Sequence, residues 1–137
     1  MSKRQGTLYE AKFIVEALEH SLDPHSCPGE YMAHDFLVTN AAGKVFKTQV
    51  KGTQYCENDR KTRRFKVLAT TGNKVKTQLD CTKVDLLAAY VEPCDTWYII
   101  PCMQLSSKTI WFYPSNPNSL GKYEKYKDKW NLFKGEL

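Results

Sequence analysis

Glu10, Asp35, Gln49 and Lys51 are the side chains of this sequence whose types suit them to hydrolysis of a phosphodiester. Carboxylates and an amide oxygen are the hard donors that a small divalent cation prefers. An ammonium beside them would offset charge on the phosphate in the transition state and help activate a water nucleophile. Gln49 and Lys51 stand two apart in the run Lys44 to Lys51 (KVFKTQVK). In an extended strand they emerge on one face with Val45 and Lys47, while Phe46 and Val50 turn to the other as core. The Val50 backbone carbonyl lies in the same stretch and adds a further oxygen.

A hairpin must bring Asp35 to this face. His34 to Asn40 (HDFLVTN) and Lys44 to Lys51 are rich in β-branched and aromatic residues and are separated by Ala41-Ala42-Gly43. With Gly43 in the left-handed position, Asn40 pairs with Lys44, and counting outward puts Asp35 opposite Gln49. His34 then points to the other face and reads as structural or loop-proximal. Glu10 belongs to a helix expected from Gly6 to Leu22, where Ala11, Ile14, Val15, Leu18 and Leu22 recur at helical spacing as the apolar stripe. Glu10 has two readings. It completes a capping box begun by Thr7, or it closes the metal shell if the helix packs across the sheet. Asp35 and Lys51 likewise read either as site residues or as an ordinary surface ion pair.

The remaining elements follow from composition. Asp23 to Met32 carries Pro24, Pro28 and Gly29 and reads as a loop. Arg63 to Thr70 reads as a third antiparallel strand, reached through a polar, basic connection from Glu57 to Thr62, with a turn at Thr71-Gly72-Asn73. Val84 to Val91 and Trp97 to Ile100 read as two buried strands, and Lys108 to Tyr113 as a short one. Tyr123, Tyr126, Trp130 and Phe133, spaced three, four and three, suggest a closing helix whose stripe is core or a dimer interface. The sum is one domain over residues 1–137, an α/β or α+β sandwich.

Glu10, then Asp35, then Gln49-Val50-Lys51, with an aliphatic run after the Asp and another leading into QVK, resembles the PD-(D/E)XK nuclease superfamily. Within it, the sequence is most similar to the small branch of Holliday-junction-resolvase-like and intron-homing endonucleases, where glutamine can replace the second acid. Asp85 to Val91 and Trp97 to Pro101 resemble the strand pair that ends the family core. Two positions depart from the pattern: His34 stands where a proline is common, and Gln49 is neutral. The resemblance implies a restriction-endonuclease-like α/β sandwich, a central mixed β-sheet flanked by helices in the order α-β-β-β-β-β-α. It implies a Mg²⁺-dependent endodeoxyribonuclease, with Mn²⁺ as a substitute cation. Asp35, Gln49, Glu10 and the Val50 carbonyl would hold the metal, and Lys51 would act on the water. The substrate would be a specific duplex site or branched, Holliday-type DNA.

Charge and cysteines agree with an intracellular nucleic-acid enzyme. Twenty Lys and Arg against fifteen Asp and Glu leave a net charge of +5, which attracts an anionic partner without specifying it. The run Arg60 to Lys66 (RKTRRFK) supplies Arg60, Lys61, Arg63, Arg64 and Lys66, followed by Lys74 and Lys76. Its two readings are DNA phosphate contact beside the cleavage site and a solvated hairpin edge that discourages aggregation. Five cysteines without a CxxC pair read as reduced thiols. His25 and Cys27 lack the further ligands that zinc requires. Neither a signal peptide nor an apolar run of membrane-spanning length is present, so a cytoplasmic, membrane-free protein is expected. Cutting two strands needs two sites, hence a homodimer or homotetramer. The rival reading is a non-enzymatic DNA-binding module that keeps the fold and the basic patch but has lost metal binding at Gln49.

Overall fold

The turn that sets the hairpin register is built from Asn40 and Gly43. The Asn40 side-chain oxygen accepts from the backbone N–H of Ala42 and Lys44, its amide donates to the Phe133 carbonyl at 2.9 Å, and Gly43 sits at φ +83°. That is the left-handed conformation glycine adopts without strain. In this computed structural model, which describes residues 2–28, 34–59, 62–71, 77–116 and 121–135, the turn joins β2 (Phe36–Thr39) to β3 (Val45–Thr53). Phe36 faces Thr48 and Thr39 faces Val45, the register expected from the sequence.

A five-stranded mixed sheet forms around β3, in the order β1 (Asp23–Ser26), β2, β3, β8 (Leu86–Val91), β9 (Thr96–Pro101). Only the β3 to β8 pairing is parallel among these. The crossover that a parallel pair requires is made here largely of strands. It comprises β4 (Cys56–Asp59), β5 (Thr62–Leu68), β6 (Thr70–Thr71) and β7 (Thr77–Gln78). With β10 (Thr109–Phe112), β4 and β5 make a second, three-stranded sheet, and β6 pairs with β7.

Strand β8 explains the layering because its two faces enter two different cores. Leu86, Ala88 and Tyr90 pack with Phe46, Val50 and the helix α1 (Lys3–Glu19). Leu87, Ala89 and Val91 pack with Phe65, Val67, Ile110 and Phe112 of the second sheet. The main sheet is thus covered by α1 on one side and by the small sheet on the other, with period-two alternation deciding which residue goes where.

Several expectations change. The helix starts earlier, with Ser2 as N-cap accepting from the Gln5 N–H, so Glu10 stands in mid-helix and is no capping-box residue. Its buried stripe is Tyr9, Phe13 and Ala17, with Ile14 and, beyond the helix, Leu22 packed against the same core as expected, whereas Val15 and Leu18 are more than half exposed. Asp23–Ser26 is an edge strand rather than loop; at the sheet edge Pro24 is tolerated. Strand β5 belongs to the second sheet rather than beside β3. The closing element is two 3-10 turns, Glu124–Tyr126 and Trp130–Lys134, instead of a continuous helix. Its aromatics therefore reach both cores, Trp130 and Phe133 under α1 and Tyr123 under the second sheet. Cys81 and Cys102 are disulfide-bonded, with Cys27, Cys56 and Cys94 free. Pairing of Leu86 with Pro101 brings their neighbourhoods together. Among the described residues, no helix is long and apolar enough to cross a membrane.

Gly52 sets how closely α1 approaches β3. A Cβ there would lie 2.2 Å from a Tyr9 ring carbon, and that ring is buried with its hydroxyl bonded to Glu92 at 2.7 Å. Gly52→Ala is expected to cost about 1–3 kcal/mol by overpacking. It should also shift Glu10, the next residue on the helix. Denaturant unfolding checks the first effect. A cost below about 0.5 kcal/mol would mean that the Tyr9 ring moves aside freely and that no overpacking arises.

Candidate active site

Strand β2 begins at Phe36 while β3 continues past its partner, leaving the β3 edge open at Val50. Asp35 fills that edge. Its carboxylate accepts the Val50 backbone N–H at 2.8 Å, taking the place of a ladder partner. Its own backbone is fixed on both sides, with the N–H donating to Thr48 at 2.9 Å and the carbonyl accepting from Cys27 at 3.0 Å. Along a strand the N–H and C=O of one residue point the same way. The Val50 carbonyl therefore faces the side on which Asp35 lies.

Gln49 and Lys51 pair with Leu87 and Ala89 in the parallel register, so they occupy the face turned toward the second sheet. Gln49 is buried, and its Oε1 has no hydrogen-bond partner. An uncompensated buried amide oxygen is costly, and such groups in native proteins often await a ligand, ion or water. Glu10 reaches the same edge from α1 on the opposite face, close enough for the Asp35 charge to act on it. Thus the structure brings Glu10, Asp35, Gln49, Val50 and Lys51 to one open strand edge, approached from both sides of the sheet.

The electrostatics are those of a site short of cations. Burial pushes the Asp35 carboxyl above the usual carboxylate range, while the Val50 N–H, Lys51 and His34 draw it back down. Burial first, then the Asp35 charge, raises Glu10. Two carboxylates that resist ionising together are an environment that a divalent cation would relieve. Among the described residues, no three His, Cys, Asp or Glu side chains gather into a metal cluster, so the third oxygen donor at this edge is the neutral Gln49.

His34, read from the sequence as structural or loop-proximal, stands beside the site. Both of its ring nitrogens are buried without partners. With Gln49 Oε1 they are the orphaned buried side-chain atoms found among the described residues. Adjacency to Asp35 is the signal in the sequence that points to His34, and strict strand alternation is what speaks against it.

Of the basic run, Arg63, Arg64 and Lys66 lie on β5; Arg60, Lys61, Lys74 and Lys76 fall outside the described residues. Arg64 is ion-paired with Glu57 and stacks on Trp111 at 3.8 Å, and Lys66 sits over Tyr55 at 4.3 Å. Arg63 donates to the Cys56 sulfur at 3.3 Å. A cavity of about 420 Å³ lined by Lys51, Tyr55, Lys66 and Leu68 links this surface to the site. Tyr55 and Trp111 are not evident from the sequence, because neither lies in the basic run that they support.

The family model described as PD-(D/E)XK endonuclease matches residues 1–132. A search of curated proteins finds no match. Among solved structures, a bacterial homing endonuclease, I-Ssp6803I, is similar at 20% identity with a TM-score of 0.81, covering 98% of this chain and 95% of that one. Hjc, a Holliday junction resolvase of the archaeal hyperthermophile Archaeoglobus fulgidus, is similar at 13% identity with a TM-score of 0.57, covering 97% and 98%. The first likeness shows the restriction-endonuclease-like sandwich.

Proposed function

Because the chain belongs to the PD-(D/E)XK endonuclease family, we propose that Glu10, Asp35, Gln49 and Lys51 form the active site of a Mg²⁺-dependent DNA endonuclease. The observation that carries the reading is the buried, partnerless Gln49 oxygen beside two carboxylates that burial holds back from ionising. That donor set fits a hard divalent cation. Asp35, Gln49, Glu10 and the Val50 carbonyl would hold Mg²⁺, with Mn²⁺ as a substitute. When bound, the ion supplies Lewis-acid polarisation of the scissile phosphate. The chain's own part is to orient and to compensate charge. The Val50 N–H fixes the Asp35 carboxylate in one direction. Lys51 would offset phosphate charge and hold the water that attacks phosphorus as the bond to the leaving oxygen breaks.

The substrate is a specific duplex site or a branched junction. Two similar solved structures, a homing endonuclease and a junction resolvase, support these two substrate classes. A second reading, a non-cutting DNA-binding module, is favoured by one observation, the lack of a third acidic ligand among the described residues. Cutting both strands would require two copies, as a dimer or tetramer.

Incubating wild type and Asp35→Ala with supercoiled plasmid and with a four-way junction, in Mg²⁺ and in EDTA, decides between these. Cleavage confined to wild type with Mg²⁺ supports the nuclease. Tight binding by both proteins with no cutting of either substrate supports the module. Contact with phosphates predicts a further result. Arg63→Gln with Lys66→Gln should make the slope of log affinity against log salt shallower by about 0.9 per cation removed. An unchanged slope in a filter-binding titration would assign both cations to the solvated edge.

A further inference from the structure

Three members of the stripe that the sequence offers as core, Ala11, Val15 and Leu18, line up with Leu8 on the outer face of α1, while the other two, Ile14 and Leu22, pack inward. Leu8 is 43% exposed, Val15 55% and Leu18 56%, and Ala11 is exposed between them. Spacings of three, four and three set these residues on a single line opposite Tyr9, Phe13 and Ala17. A helix apolar on both faces has one face to bury that its own chain does not cover.

The charges on α1 say what covers it. Lys3 and Arg4 begin the helix and Glu16 and Glu19 end it, with no acid in the first turn and no base in the last. This is the reverse of the arrangement that the helix dipole favours. Among the described residues, Lys3, Arg4 and Glu19 form no ion pair that would compensate. A second helix of the same sequence running antiparallel supplies the compensation, because each basic start then lies against an acidic end.

We propose that the outer face of α1 binds a second copy of this chain, the two helices antiparallel about a two-fold axis beside Ala11. In that register Leu8 faces the partner copy's equivalent of Val15, and Arg4 faces the equivalent of Glu19. The small Ala11 at the axis lets the backbones approach. Alongside the stripe, Ala11, Val15, Tyr90 and Trp97 wall a groove of about 370 Å³ that Lys12, Glu16 and Asp95 also line, and in this register the partner copy's equivalent of Leu8 would lie against its Val15 side. The surface is self-complementary, as an isologous contact must be. It deepens the two-copy part of the proposed function but stands on the outer face of α1 and the groove beside it, away from the site, so its test needs no DNA.

Sedimentation equilibrium of the full chain from roughly 1 to 200 µM spans the range where a helix-pair interface of modest area associates. Wild type should dimerise, and Val15→Glu should raise Kd by about 30-fold or more, the size of a lost hot spot. Arg4→Glu and Glu19→Arg should each weaken the dimer by about 5-fold or more, since two symmetric pairs are reversed. Combined in one chain they should restore it. Both charged positions are exposed, so the reversals leave the monomer folded, and thermal melts confirm this for every variant. A wild type that stays monomeric overturns the proposal. So does a dimer indifferent to Val15→Glu, which would use another surface, or a double reversal that fails to rescue. Cleavage assayed separately on the same preparations distinguishes failure of the dimer from failure of the nuclease.

Discussion

Asp35→Asn is expected to abolish cleavage and to make the metal-free protein more stable at neutral pH. Burial raises the folded-state pKa of the Asp35 carboxyl above its unfolded value, against the favourable Val50 N–H. A group raised in this way binds its proton more tightly in the folded state, so stability falls as pH rises through the interval between the two values. Above that interval the whole cost of charging a buried carboxylate is present. Asparagine keeps an oxygen for the Val50 N–H and carries no charge. In EDTA at pH 7 its melting temperature should exceed wild type by about 3 °C, the scale of roughly 1 kcal/mol in a domain of this size. The gap should close as pH falls toward the ordinary carboxylate range, near about 4. Adding Mg²⁺ should stabilise wild type by mass action and leave the variant unmoved. Cleavage should drop by at least about 100-fold, as when one preorganised charge contact is lost. A melting temperature that falls in EDTA at neutral pH would show instead that Asp35 is a structural anchor. The site reading would then lose its electrostatic basis.

The parts of this site legible in the sequence are those governed by a period of two. Gln49 and Lys51 share a face whatever the neighbouring strands do, and Asn40 with Gly43 dictates the turn that brings Phe36 opposite Thr48 and so carries Asp35 to the β3 edge at Val50. What escaped depends on distant partners. Strands β5 and β3 have similar patterns, and nothing local says that Phe65 and Val67 belong to a second sheet. Asp23–Ser26 has no strand composition; it is a strand because β2 offers it an edge. Tyr123, Trp130 and Phe133 mimic helical spacing, yet Asp128 at φ +53° breaks the chain so that they serve opposite faces of the sheet. The Cys81–Cys102 pairing follows from the β8–β9 hairpin and not from a spacing of 21 residues.

The helix shows how a correct period can put part of a stripe on the wrong face, since Ile14 and Leu22 pack inward but Val15 and Leu18 do not, and Phe13→Ala measures the difference. Leu8, Ala11, Val15 and Leu18 form a more aliphatic stripe than Tyr9, Phe13 and Ala17, so hydropathy alone favours the former. Shape decides otherwise. The ring of Phe13, wholly buried, lies 5.2 Å from Phe36, 5.7 Å from Trp97 and 5.8 Å from Trp130, with Phe133 at 6.4 Å. Four rings from β2, β9 and the closing turns meet on it, while Gly52 leaves the hollow that takes Tyr9 one turn earlier. Truncating Phe13 removes that shared contact and leaves a cavity that rigid neighbours cannot fill, at an expected cost of about 3–5 kcal/mol. Against a total of about 5–15 kcal/mol, such a loss brings the protein close to unfolding. Leu18→Ala, measured at a concentration where the chain is monomeric, should change stability by no more than about 0.5 kcal/mol. Denaturant midpoints for the two variants give the comparison. Similar costs for both would place the helix with its aliphatic face inward, and Glu10 would then lie too far around α1 to reach Asp35.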